Sequence, residues 1–173
     1  MIYLDVETIR SSNEVGGWFP EKLGLAVAVT FDSKTGYRTW FENQVQNLVM
    51  ELVQQDKIVG YNLLGFDYGV LKAYDTKVYQ KLQDKTIDLL DIIYRKIGFR
   101  IKLDDLTTAT FGKTKTADGL KSIQWWKEGK YQLVVDYCKE DVSLTKELYE
   151  FGIREKIIYY PSYGAKKSIP ISW

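Results

Sequence analysis

The chain has 173 residues, enough for one compact domain with a sizeable core, and 24 Lys and Arg against 23 Asp and Glu leave a net charge of +1, too small for an overall field that attracts a polyanion. It has no histidine, which excludes Ser-His and Cys-His nucleophilic pairs, His-ligated zinc and any imidazole base. Its single cysteine, Cys138, excludes an internal disulfide and a cysteine zinc cluster, so carboxylates, Lys, Tyr, Ser and Thr are left for chemistry.

Residues 1–7 (MIYLDVE) read as a strand. Met1-Ile2-Tyr3-Leu4 is no basic leader, and the apolar run Leu23 to Val29 has strand rather than membrane length, so no signal peptide or membrane span is expected and the cytoplasm is the expected compartment. Leu23–Phe31 and Tyr37–Phe41 form a second and third strand, paired as a hairpin across Asp32-Ser33-Lys34-Thr35-Gly36. Val45, Leu48, Val49, Leu52 and Val53 recur at helical spacing and predict a helix over 43–55, followed by a short strand over 57–60. Further helices are expected near 66–74, 89–97, 103–110, 119–127 and 131–151, with a strand near Thr86-Ile87 and an unassigned tail from Ile157 to Trp173. No repeat or composition break divides the chain, so 1–173 is expected to be one domain. Antiparallel opening strands followed by alternating helices and parallel strands make an α/β fold with a mixed central sheet flanked by helices.

Charge is unevenly spread. Residues 94–130 hold nine bases and four acids, whereas residues 1–60 hold eight acids and five bases, so nucleic-acid contacts are expected from a local patch. Lys113, Lys115 and Lys121 lie in that patch, where they either touch phosphates or are solvated. Trp125 and Trp126 offer stacking faces, and one of them is expected in the core. Gly112-Lys113-Thr114 is not a phosphate-binding loop, because Thr107 stands where such a loop needs its first glycine.

Four acids carry the functional signal. Asp5 and Glu7 share one face of the first strand about 6.6 Å apart at Cα, with Ile2, Leu4 and Val6 on the other face. An exposed acidic pair is the plain alternative. Asp67 falls in the first helical turn after the apolar strand that ends Gly60-Tyr61-Asn62, where it either serves a site or caps helix amides, and Asn62 either serves a site or stabilises a turn. Leu133, Tyr137, Asp141, Leu144 and Leu148 form one stripe of the last helix, so Asp141 occupies an apolar face, with Tyr137 one turn before it; an ion pair with a core lysine is the alternative. Asp88, at a strand-to-helix junction, reads as an N-cap ahead of a site acid. Carboxylates drawn together raise one another's pKa unless a cation shares the site, and oxygen-only ligands suit hard divalent ions.

Leu4-Asp5-Val6-Glu7-Thr8, Gly60-Tyr61-Asn62 through Phe66-Asp67, and Tyr137-Cys138-Lys139-Glu140-Asp141 together resemble the three motifs of the DEDD superfamily of 3′→5′ exonucleases, tyrosine subclass, with a ribonuclease H-like fold. More loosely, the chain resembles ribonuclease H-like domains associated with helicases. The resemblance implies phosphodiester hydrolysis with two Mg²⁺ or Mn²⁺ ions held by Asp5, Glu7, Asp67 and Asp141, Asp5 lying between both ions. It implies that Tyr137 orients the attacking water, and that Thr8, Ile9 and Asn62 contact the terminal nucleotide. The implied substrate is single-stranded DNA, or RNA, with a free 3′ end, and the implied partner is a helicase or polymerase. Two alternatives share these residues: an inert nucleic-acid-binding module, and a ribonuclease H-fold endonuclease that has no need of Tyr137.

Overall fold

A strand with apolar residues on both faces must be covered on both, and the first strand of this chain alternates two kinds of contact from its first residue. The computed structural model describes residues 1–113 and 119–173. Strand β1 (Ile2–Thr8) pairs antiparallel with β2 (Leu25–Asp32), and β2 pairs antiparallel with β3 (Gly36–Phe41). The turn between them is fixed by Asp32, whose Oδ1 accepts from the Lys34 amide at 2.8 Å, and by Gly36 at φ 74°. Helix α1 (Val45–Val53) leads into β4 (Ile58–Gly60), which runs parallel to β1, and β5 (Thr86–Asp88) runs parallel to β4. The sheet order is therefore β3-β2-β1-β4-β5.

Ile2, Leu4 and Val6 point to one side, where Leu48 and Leu52 of α1 meet them together with Ile58, Leu63 and Leu71. Tyr3 points to the other, into a core with Val27, Val29, Val59, Leu89, Cys138, Val142 and Leu148. Each fully buried aliphatic side chain contributes roughly 1.5–3 kcal/mol, so these two layers hold the sheet between them. Asp5 and Glu7 share the face of Tyr3, the one that the last helix crosses.

Chain order is largely as expected, with differences at element ends. The helix expected near 66–74 begins earlier, as a π-helical turn over Leu63–Asp67 that passes into a short α2 (Tyr68–Leu71). A further short helix, α3 (Val78–Leu82), precedes β5, and α4 (Leu89–Ile97), α5 (Leu103–Phe111), α6 (Gly119–Lys127) and α7 (Tyr131–Glu155) follow. On α7 the buried stripe passes through Val134, Tyr137, Cys138, Asp141, Val142, Leu144, Thr145 and Leu148. Leu133 is not part of it and is 43% exposed. Four-residue steps overshoot a 3.6-residue turn by about 40° each, so two steps back from Asp141 carry a side chain off the stripe. Neither tryptophan of α6 is fully buried, but both pack partly buried against the α7 core, while Ser122 and Ile123 are the buried residues of the helix.

The tail forms a hairpin of β6 (Ile157–Ser162) and β7 (Ala165–Pro170) whose two-residue loop, Tyr163-Gly164, has φ of 48° and 78°, the paired left-handed geometry that suits a tight hairpin. It buries Ile158, Ile169 and Ile171 in the α7 core. The indole of Trp173 then lies against Gly152 of α7 and donates from Nε1 to the Tyr149 carbonyl at 2.9 Å. Among the described residues no helix is long and apolar enough to cross a membrane.

A methyl group at Gly152 would overlap the Trp173 indole. Gly152→Ala is expected to cost about 1–3 kcal/mol, as overpacked cores do, and to lower the melting temperature. In a double-mutant cycle read by thermal melts, adding Gly152→Ala to Trp173→Ala should cost markedly less than adding it to the parent; equal costs in both backgrounds would show that the indole does not sit there.

Candidate functional site

Parallel pairing of β1 with β4 covers only Ile2–Ile58 and Tyr3–Val59, so beyond Tyr3 the two strands part. The Val6 amide then donates to a side chain, Oδ1 of Asp67, at 3.0 Å. Asp67 is 1% exposed and makes no cap bond to its own helix, so the helix-cap alternative is not the use its carboxylate is put to. Burial, and next the nearby charge of Asp5, push its carboxyl well above the usual range.

Asp5 and Glu7 arrive from β1 and Asp141 from the crossing helix α7. Ligand oxygens of the three lie within 4.8 Å of one another. Glu7 and Asp141 are buried and Asp5 is half-buried. Three oxygen donors with no nitrogen or sulfur among them are a hard-cation donor set, so the residues present fit Mg²⁺ or Mn²⁺. Asp67 is not one of the three; its carboxylate accepts from the Val6 amide and lies near enough to Asp5 to feel its charge. At an effective dielectric of about 20, each ionised pair at that separation costs roughly 3 kcal/mol, a large part of a domain's stability.

Asp5 and Asp141 open onto a cavity of about 630 Å³ whose wall also carries Tyr61, Asn62, Arg100, Lys102 and Tyr137. Tyr137, 5% exposed, divides this cavity from a shallower groove of about 410 Å³ lined by Tyr37, Trp125 and Leu133. Asn62 sits in left-handed geometry at φ 70° and accepts from the Arg100 guanidinium at 2.7 Å. Thr8 and Ile9 are differently placed. The Thr8 hydroxyl donates to the Arg10 carbonyl and the Ile9 amide to the Gly24 carbonyl, each at 3.1 Å, and neither residue is in the described wall of the cavity. Lys113 pairs with Glu147 at 2.6 Å, and Lys121 lies 6.0 Å from the Trp125 ring, while Lys115 falls outside the described residues.

Four residues take a part in this geometry that the sequence shows only incompletely. Asp88 is an N-cap, as expected, accepting from Leu90 and Asp91, but the same carboxylate also accepts from the Asn62 and Leu64 amides at 2.9 Å. It thus ties the start of α4 to the turn that delivers Asp67. Burial raises its pKa against the opposing pull of those amides. Arg100 and Lys102 reach the cavity from the segment before α5, and only the local excess of bases in 94–130 hinted at them. Cys138, fully buried on α7, brings its sulfur within 3.3 Å of Asp5 Oδ2, and burial with the charges of Asp5 and Glu7 pushes its thiol pKa up.

Residues 2–152 match the family model of the RNase H superfamily. The chain belongs to that superfamily. No curated protein matched the sequence as a relative. Among solved structures, the family B DNA polymerase from the hyperthermophilic archaeon Pyrobaculum calidifontis is similar, with a TM-score of 0.63 and 17% identity over 88% of this chain. The likeness covers 24% of the polymerase chain, so the present chain corresponds to about a quarter of that protein. An RNase H-like fold is a nuclease fold, and the mixed five-stranded sheet agrees with it.

Because the folded-state pKa of Asp67 is raised, the folded protein holds a proton at pH values where the unfolded chain has lost it. With chelator present, stability should therefore fall as pH rises from the ordinary carboxylate range through the raised value, with a slope of up to about 1.4 kcal/mol per pH unit from this group. Thermal melts of Asp67→Asn across the same range should show a shallower fall. An identical pH dependence in parent and variant would contradict the protonated, buried state of Asp67.

Proposed function

We propose that the protein is a divalent-metal-dependent 3′→5′ exonuclease of the tyrosine DEDD type, hydrolysing phosphodiester bonds of single-stranded nucleic acid, with DNA favoured over RNA. The observation that carries the reading is the meeting of Asp5, Glu7 and Asp141 within 4.8 Å beside a cavity walled by Tyr137, one helical turn before Asp141. An inert binding module has no physical use for concentrated negative charge where a polyanion must lie. Arg100 and Lys102 in the lining of the same cavity supply the positive charge that a phosphate backbone needs.

Asp5, Glu7 and Asp141 would hold one Mg²⁺ or Mn²⁺, and Asp5 with Asp67 a second. When bound, such ions supply Lewis acidity and positive charge to an in-line displacement at phosphorus. The chain does the rest. A phenol, with an ordinary pKa near 10, is a poor base at neutral pH, so Tyr137 acts by hydrogen-bonding the attacking water and fixing its direction. Asn62, held by Arg100 and the Asp88 cradle, presents an amide side chain at the cavity where the terminal nucleotide would sit. Thr8 and Ile9 contribute through the strand end they form, since the Ile9 amide is already engaged. The likeness to part of a DNA polymerase chain supports a polymerase as the partner class, with a helicase as the alternative that the sequence resemblance implies.

A 5′-labelled single-stranded oligonucleotide should shorten stepwise with Mg²⁺ or Mn²⁺ and stop on chelation, while a circular single strand stays intact. Asp5→Asn or Asp141→Asn should abolish turnover with the melting temperature retained, and Tyr137→Phe should lose on the order of 10²-fold in kcat. Cutting of the circle would favour the endonuclease alternative. Binding without product at long times would favour the inert module, and digestion by Asp5→Asn at the parental rate would place the activity elsewhere.

A further inference from the structure

Cys138 is buried in the α7 stripe between Tyr137 and Asp141, and a small apolar residue would fill that space as well. Packing alone does not call for what the sulfur does. It lies 3.3 Å from Oδ2 of Asp5 and 3.3 Å from the Asp5 main-chain oxygen. A thiol carries one hydrogen and so donates to one of these at a time, and an ionised carboxylate is the stronger acceptor of the two. Asp5 is also the acid whose direction matters most. It is the least buried of the four, and it faces two other carboxylates whose like charge favours rotation toward water about χ1.

We propose that Cys138 is a positioning residue for Asp5: its buried S–H donates to Oδ2 and holds the carboxylate on the side of Glu7 and Asp141, so that the three oxygens stand together before a cation arrives. The role rests on the cation-binding reading of that cluster. Groups that orient a ligand from behind commonly change cation affinity when removed, although they touch neither the ion nor the substrate.

Because Cys138 is the chain's single cysteine, the S–H stretching band in the infrared reports this contact alone. The band is expected at lower frequency in the parent than in Asp5→Ala, with no metal present. Mn²⁺ titration without nucleic acid should show Cys138→Ala weakened by about 10-fold, with Cys138→Ser, which keeps a donor, recovering most of the loss. Melts in chelator should lower both variants alike, which separates lost packing from lost orientation. An S–H band unmoved by Asp5→Ala overturns the proposal even if Cys138→Ala fails to fold, and so does a folded Cys138→Ala that binds Mn²⁺ like the parent. A parent that takes up no Mn²⁺ overturns the cation reading and the role together, and is recognised apart because the infrared comparison needs no metal.

Discussion

The hydrogen bond from the Val6 amide to Asp67 is the hinge of this structure, because it replaces a rung of the sheet with a carboxylate. A parallel pair that ran on past Tyr3 would satisfy that amide with a carbonyl and seal the sheet. Instead β4 turns away, a π-helical turn over Leu63–Asp67 swings one acid back across the gap, and the opening between the strands becomes the wall of a cavity. Such turns recur at functional sites because the extra residue re-aims a side chain that a regular helix would point elsewhere. Asp88 holds the turn in place from below through the amides of Asn62 and Leu64, so one buried acid fixes the backbone that positions another.

The arrangement is costly to fold and useful for the same reason. Negative charge from β1, from the β4 exit and from α7 converges in a setting that water only partly reaches, which lifts the pKa of Asp67 and leaves each carboxylate disfavouring the next. Consistency between local preference and global fold fails at functional places, and here it fails at an acid on an apolar helix stripe and an acid that caps nothing in its own helix. A hard divalent cation, if held there, would turn that cost into binding energy. Arg100 and Lys102, from a chain segment well separated from the acidic strands, line the same cavity as Asp5 and Asp141, so it carries charges of both signs.

Much of this was written in the sequence, for identifiable reasons. The face of β1 that carries Asp5 and Glu7 follows from the two-residue repeat of a strand, and the burial of Tyr137 and Asp141 follows from the helical stripe they share. Strand order and the match to the RNase H superfamily agree with the α/β reading. What stayed hidden was set by long-range contact. Nothing local shows that Asp67 reaches the Val6 amide 61 residues away, or that one carboxylate at 88 serves the turn at Asn62 and Leu64 as well as its own helix. Leu133 lies off the buried stripe because four-residue steps drift around the helix, and the hairpin after Ile157 has little sequence signal because its second strand, Ala165–Pro170, is largely polar and exposed apart from Ile169. Thr8 and Ile9 sit at the end of β1, where the Ile9 amide bonds the Gly24 carbonyl, a contact that the motif they belong to does not reveal.

The central claim is that these four carboxylates form a seat for divalent cations. Anomalous scattering from crystals grown with Mn²⁺ and a nucleoside monophosphate tests it most directly. The account predicts manganese density among Asp5, Glu7 and Asp141, with a second peak on the Asp5–Asp67 side. Crystals with clear density for those side chains and no manganese between them, or with a lysine ammonium in its place, would contradict it.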